Sequence, residues 1–371
     1  MLIKNALAYS KEGFAKRDIA IQNERITDSP CCDDEVINAE GLLALPGLVD
    51  IHIHGAAGHD FCEGEESAIA EMAEHLAQRG VLAFCGATMC YDEETLNRIM
   101  KAAAAHKNSA GSDLVGVNME GPFISPEKAG AQNKSYIRSP DVDIFNRLNK
   151  AANGMIKLID IAPETAGAIQ FTKAVSKKVR VSLAHTNCDF DTAKAFFEAG
   201  GNHVTHLFNA MSGIDHRSPG AVIAALESDC MAELITDGVH IHPAMVRFAF
   251  NTFGAERMIL ISDGMMACGL PDGDYTLGGQ AVTVSGARCV LTDSPSTLAG
   301  SCTDLFGCMK NAVAMGIPLE SAVLAASENP AKAIGIDSDY GSLEIGRFAN
   351  VILADEKLNI VHVIQKGKII I

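Results

Sequence analysis

His52 and His54 stand two residues apart in Asp50-Ile51-His52-Ile53-His54, so in extended backbone both imidazoles project from one face. Four more groups of the same chemical kind close or interrupt otherwise apolar, β-branched runs: Glu120 ends 114–120, His185 ends 179–185, His206 lies in 203–211 and Asp263 ends 258–263. Imidazole nitrogen and carboxylate oxygen bind zinc- or iron-like ions at about 2.0–2.2 Å, and three or four of them must converge on one point. A histidine pair alone reads equally well as a polar strand end. Buried histidines beside a buried glutamate are costly unless something pairs them, and a cation pairs them all. The combination carries the metal reading, not any one motif.

Such convergence needs a scaffold that brings strand ends together. Eight apolar runs, 45–54, 81–89, 114–120, 156–162, 179–185, 203–211, 231–238 and 258–263, alternate with stretches of helical spacing such as 65–78, 92–106, 140–152, 164–177 and 189–199. Strand–helix alternation predicts parallel strands with crossover helices, and eight units fit a (β/α)₈ TIM barrel, whose catalytic groups come from the C-terminal strand ends. An open doubly wound sheet is the rival, but no Gly-rich phosphate loop follows the first strand. Short alternating segments at 2–9, 18–22 and 25–27, and again at 351–354, 360–365 and 368–371, predict a small sheet domain shared by both ends of the chain. The expected division is 1–48 and 339–371 for that domain and 49–338 for an α/β barrel. A Gly-rich insertion at about 264–301 should carry strands at 275–277, 281–285 and 289–292.

Composition narrows the partners. A formal charge of −16 over 371 residues leaves no broad cationic face for nucleic acid or an anionic membrane, although one or two bases suffice for a small anion. Trp is absent, which disfavours base stacking. Apolar runs fall short of a membrane span, and Met1-Leu2-Ile3-Lys4-Asn5 lacks a signal-peptide core. Eleven cysteines without CxxC pairs suggest neither a disulfide framework nor a Cys-rich zinc site. A reduced, cytoplasmic protein is the expectation.

The same residues carry a resemblance to the amidohydrolase superfamily, and within it to the N-acetylglucosamine-6-phosphate deacetylases. The matching elements are Pro46-Gly47-Leu48-Val49-Asp50-Ile51-His52-Ile53-His54-Gly55, Glu120-Gly121-Pro122-Phe123, Ala184-His185-Thr186, Thr205-His206-Leu207-Phe208-Asn209-Ala210-Met211, Thr236-Asp237-Gly238-Val239-His240, Ser262-Asp263-Gly264 and the C-terminal stretch from Gly341 to Asn350. The resemblance spans essentially the whole chain. It implies a TIM barrel with a small β-sandwich domain built from both termini, and hydrolysis of the acetamide of N-acetyl-D-glucosamine 6-phosphate to glucosamine 6-phosphate and acetate. It further implies that Glu120, His185 and His206 hold a divalent metal (Zn, Fe, Co or Mn), that His52 and His54 either hold a second ion or line the pocket, and that Asp263 is the acid/base. Arg217 matches a phosphate-binding arginine that reaches a neighbouring subunit's site, which implies a homodimer. His240, Asn209, Ala210, Ala131, Gln132, Leu298, Ala299 and Gly300 match substrate-contacting positions. Gln132 stands where many relatives have His, and Asn350 where Asp is usual. His59, His203, His216 and His242 stay unassigned. The alternatives are an N-acetylgalactosamine-6-phosphate deacetylase, a cyclic-amide hydrolase of the same superfamily, and an inactive sugar-phosphate-binding protein.

Overall fold

The computed structural model describes residues 1–29 and 35–371; Cys31 and Cys32 and part of the first terminal stretch lie outside the described residues. All eight expected runs contribute parallel strands: β1 (Leu48–Ile53), β2 (Val81–Ala87), β3 (Asp113–Met119), β4 (Ile156–Ile161), β5 (Arg180–Leu183), β6 (His203–Val204), β7 (Met231–Ile235) and β8 (Met258–Ile261). They pair in chain order. Closure comes just beyond the last strand, where the Asp263 amide donates to the His52 carbonyl at 3.0 Å and the His54 amide to the Gly264 carbonyl at 2.8 Å. A (β/α)₈ barrel results.

Helices connect the strands, and their starts are written locally. Asp92, Asp141 and Asp189 each accept a hydrogen bond from a first-turn amide, satisfying donors that a helix N-terminus leaves open. The helix expected over 164–177 is shorter, Ala168–Val175, because Gly167 enters it in a left-handed conformation. Glu164 is thereby freed, and its carboxylate accepts from the Thr186 hydroxyl at 2.5 Å and the Asn187 amide at 2.7 Å, tying down the loop beyond β5.

The first run is not one strand. Leu43–Pro46 belongs to the small sheet and β1 to the barrel, with Gly47 between them. A Cβ at Gly47 would lie 2.7 Å from Leu82 Cδ1 and 3.0 Å from Asn350 Cβ, so only glycine lets the chain pass. Strands from both chain ends form one eight-stranded sheet. It curls until Ile26 donates to the Arg347 carbonyl and Gly346 to the Ile26 carbonyl, enclosing Ile3, Ile19, Val351 and Ile364. The insertion is a four-stranded antiparallel sheet, one strand more than expected; the extra strand, Ser294–Leu298, reads as a loop because of its serines and proline.

The barrel's opposite mouth is shut. The helix Glu328–Ala333 packs on β1 and β8, while its Ala333 carbonyl accepts from Arg180 at the start of β5. Ala331, Ala333 and Ile334 cluster with Val49, Leu158, Ile235 and Ile259, which makes this helix the barrel floor.

Candidate active site

His52 lies in β1 and His54 one residue beyond it; Glu120, His185, His206 and Asp263 follow the ends of β3, β5, β6 and β8. The closed sheet brings all six to one mouth. Glu120 Oε1 lies 2.9 Å from His185 Nε2 and 3.1 Å from His206 Nε2, and those two nitrogens are 3.1 Å apart. Glu120 Oε2 faces His54 Nε2 at 3.2 Å. Asp263 Oδ1 sits 3.4 Å from His54 Nε2 and 3.7 Å from His52 Nε2. His185, His206 and Asp263 have φ values of 43°, 31° and 48°, a left-handed backbone costing about 1–3 kcal/mol each where no glycine is present. That turn off the strand aims their side chains across the mouth, and it is why β6 ends at Val204 rather than running on to residue 211.

Burial pushes the Glu120 carboxyl up, but the His185, His206 and His54 imidazoles around it outweigh burial and hold the group well below the ordinary range. For Asp263 burial likewise opposes, and His54 and His52 win, keeping it an ionised acceptor. Behind this layer the balance reverses. Burial pushes Glu233 up to about 8 and Asp50 up to about 7. Glu233 supports the layer, since its Oε2 accepts from His52 Nδ1 at 3.0 Å and from the His206 amide at 3.2 Å.

The donor set fits a metal. His185 Nδ1 donates to the Lys128 carbonyl at 2.8 Å, so in the neutral ring Nε2 is a lone pair. It faces the Glu120 carboxylate and a second imidazole nitrogen. Two ligands about 2.1 Å from one ion, at angles of 90–109°, stand about 3.0–3.4 Å apart, which matches this triad. His52 Nε2 is buried without a hydrogen-bond partner, 3.7 Å from both Glu120 Oε1 and Asp263 Oδ1. Three acceptors facing one another need a cation among them. Two overlapping groups therefore have the chemistry to hold a divalent ion: Glu120–His185–His206 and His52–His54–Glu120.

Residues 43–370 match the amidohydrolase family. The N-acetylglucosamine-6-phosphate deacetylase of Bacillus subtilis (strain 168) is 36% identical over 335 residues, covering 88% of this chain and 84% of that one. The chain belongs to the N-acetylglucosamine-6-phosphate deacetylase family of amidohydrolases. The N-acetylgalactosamine-6-phosphate deacetylase of Escherichia coli O157:H7 is 31% identical over 339 residues, 90% of this chain and 89% of that one. A mutant N-acetyl-D-glucosamine-6-phosphate deacetylase from Mycobacterium smegmatis, in complex with N-acetyl-D-glucosamine-6-phosphate, superposes with a TM-score of 0.94 at 29% identity, covering 100% and 99% of the two chains.

In this family member the donor cluster opens into a cavity of about 270 Å³. Of the expected substrate contacts, Ala131, Gln132, Asn209, Ala210, His240, Leu298 and Gly300 line it. Ala299 does not: it is fully buried, its amide bonded to the Cys289 carbonyl at 3.0 Å. Arg217 does not reach the cavity of its own chain. It is exposed, with Nη1 3.0 Å from His216 Nε2. Both ends of the Gln132 amide are already engaged, Oε1 accepting from the Cys90 amide at 2.7 Å and Nε2 donating to Glu120 Oε2 at 2.6 Å. Gln132 thus orients a ligand-type carboxylate while it lines the cavity where a sugar or oxyanion contact is expected.

Glu233, Asp237 and the insertion residues Leu277, Ser296 and Thr297 are not among the residues expected at the site. Glu233 was legible as a charge inside the apolar Met231–Ile235, and Asp237 sat unread beside His240 in its motif. Asp237 Oδ2 holds His240 Nδ1 at 2.7 Å; burial pushes this imidazole down, and Asp237 outweighs it and raises it. Leu277, Ser296 and Thr297 arrive from the insertion sheet with no local signal. The nine described cysteines are free thiols, and no helix of the described residues is long and apolar enough to cross a membrane.

Proposed function

We propose that this chain is a metal-dependent deacetylase that hydrolyses the acetamide of N-acetyl-D-glucosamine 6-phosphate to D-glucosamine 6-phosphate and acetate, in amino-sugar catabolism or recycling. The observation that carries this reading is the Glu120–His185–His206 cluster beside an ionised Asp263, at the mouth of a cavity in a chain so similar to deacetylases of that substrate. Glu120, His185 and His206 would hold one divalent ion, zinc, iron, cobalt or manganese; His52 and His54 with Glu120 would hold a second. Such an ion supplies Lewis acidity, which brings the pKa of water toward about 7 and polarises a carbonyl.

The chain's own residues do the rest. Asp263 accepts the proton of the attacking water and delivers it to the amide nitrogen, which departs only once protonated. Glu233 fixes the His52 ring and the His206 backbone, and Gln132 fixes Glu120, so the donors need not reorganise during the reaction. His240, held by Asp237, presents its other ring nitrogen to the substrate. Asn209, Ala210, Ala131, Gln132, Leu298 and Gly300 shape the sugar pocket. The exposed Arg217 has a planar fork suited to phosphate, and its distance from its own cavity supports a homodimer in which it serves the neighbouring subunit. The division into a small sheet domain (1–48 and 339–371) and a catalytic barrel (49–338) is supported by the core that Ile3, Ile19, Val351 and Ile364 form within the small sheet, and a cytoplasmic location is supported by the free thiols of the described cysteines.

The similarity to the galactosamine enzyme favours a second reading, deacetylation of the 4-epimer. Acetate release from the two epimeric 6-phosphates, by the metal-replete protein, decides between them; release from neither, with metal bound, overturns both.

A further inference from the structure

On the barrel floor, at the opposite end of the strands from Glu120, a cavity of about 330 Å³ is lined by Lys157, Lys177, Lys178, Arg180 and Lys332. No acid lines it, in a chain with 46 acidic and only 30 basic residues. A wall drawn at the chain's average composition would hold more acids than bases. Lys332 has a partner, Glu328 at 2.8 Å. The other four make no ion pair among the described residues. Arg180 is partly buried and spends its donors on neutral carbonyls only, Ala333 and, at 3.3 Å, Asn202. Buried cations are ordinarily matched by an opposite charge. Burial pushes the Arg180 guanidinium down and no carboxylate opposes that shift.

We propose that this floor cavity is a second binding site, for a compact multiply charged oxyanion of the phosphoryl class, free or carried on a small sugar. Arg180 sits at its base with guanidinium hydrogens still unused and supplies the directed donors; Lys157, Lys177 and Lys178 supply the surrounding positive potential. No carboxylate or imidazole lines the cavity to act as a general base, so the site binds and does no chemistry. It stands apart from the catalytic mouth by the length of a barrel strand, roughly 20 Å for six residues.

The test is calorimetric titration of inorganic phosphate, and separately of glucose 6-phosphate, into the metal-loaded full-length protein. The variants are Lys177→Glu/Lys178→Glu, both exposed and outside the catalytic machinery, and Arg217→Ala. The expected result is a bound phosphate whose affinity falls at least tenfold in the lysine variant and is unaltered in Arg217→Ala, while kcat and KM for acetate release stay at the parent's values in the lysine variant. Tighter binding of glucose 6-phosphate than of phosphate assigns a sugar phosphate as occupant; equal binding assigns the free ion. Identical titrations for parent and lysine variant, or binding abolished at about 0.15 M salt as for a diffuse surface field, overturn the proposal. The phosphate titrations do not depend on deacetylation, so this site and the catalytic reading fail separately.

Discussion

At the C-terminal mouth of the barrel four imidazoles and two carboxylates are buried and turned toward one another, whereas at the N-terminal mouth five basic side chains surround a cavity that holds no acid. The catalytic mouth is internally compensated: each of its carboxylates is held ionised by imidazoles, and the whole cluster gains from one more positive charge. Apart from Lys332, the floor is uncompensated and gains from negative charge. The difference follows from how the strands end. At their C-terminal ends residues leave the ladder in left-handed conformations and swing polar groups across the axis, while the floor is closed by a helix that sets Ala331 and Ala333 against the strands and leaves the bases at its rim.

The comparison breaks first at Asp263. Asp263→Asn should keep the metal and lose kcat by several orders of magnitude; a near-parental kcat measured on metal-loaded protein would remove the acid/base from the mouth. His185→Ala should leave the dialysed protein without the ion held by Glu120 and His206, as read by elemental analysis, because a three-donor site loses one ligand. Gln132→Leu takes a donor from Glu120 and an acceptor from the Cys90 amide, and a metal titration should show affinity falling about ten- to a hundredfold.

A smaller effect sharpens the account of the layer behind the ligands. Asp50 has its carboxyl pushed from an ordinary 3.8 up to about 7 by burial, so the native state holds this proton more tightly than the unfolded chain does. That contribution is complete below the unfolded pKa and is lost as pH rises through about 7. In metal-free protein the stability of Asp50→Asn relative to the parent should therefore rise with pH, by at most about 1.4 kcal/mol per unit across that window. A flat difference in denaturant midpoints would place the Asp50 charge in a solvated setting. Least in size, Gly86→Ala in β2 drives a methyl into the Phe61 ring and should cost about 1–3 kcal/mol in thermal unfolding, with kcat unchanged.

Pattern along the chain alone pointed to the barrel and to the buried donors that meet at its mouth. Period-two apolar runs report strands directly, and a histidine or carboxylate closing such a run is visible because burial elsewhere in the run excludes charge. Aspartate caps placed helix starts for the same local reason. What only the tertiary structure decided depends on groups far apart in the chain. Gln132 became a clamp on Glu120 because the Cys90 amide, 42 residues away, claims its other end. Insertion residues such as Thr297 became pocket wall, and Arg217 was left outside its own cavity. The floor's unmatched cations emerged only once Lys157 and Arg180 met in space. Pattern along a chain reports which face each residue presents. Which partner it finds there is set by closure of the sheet, which joins segments whose spacing carries no local period.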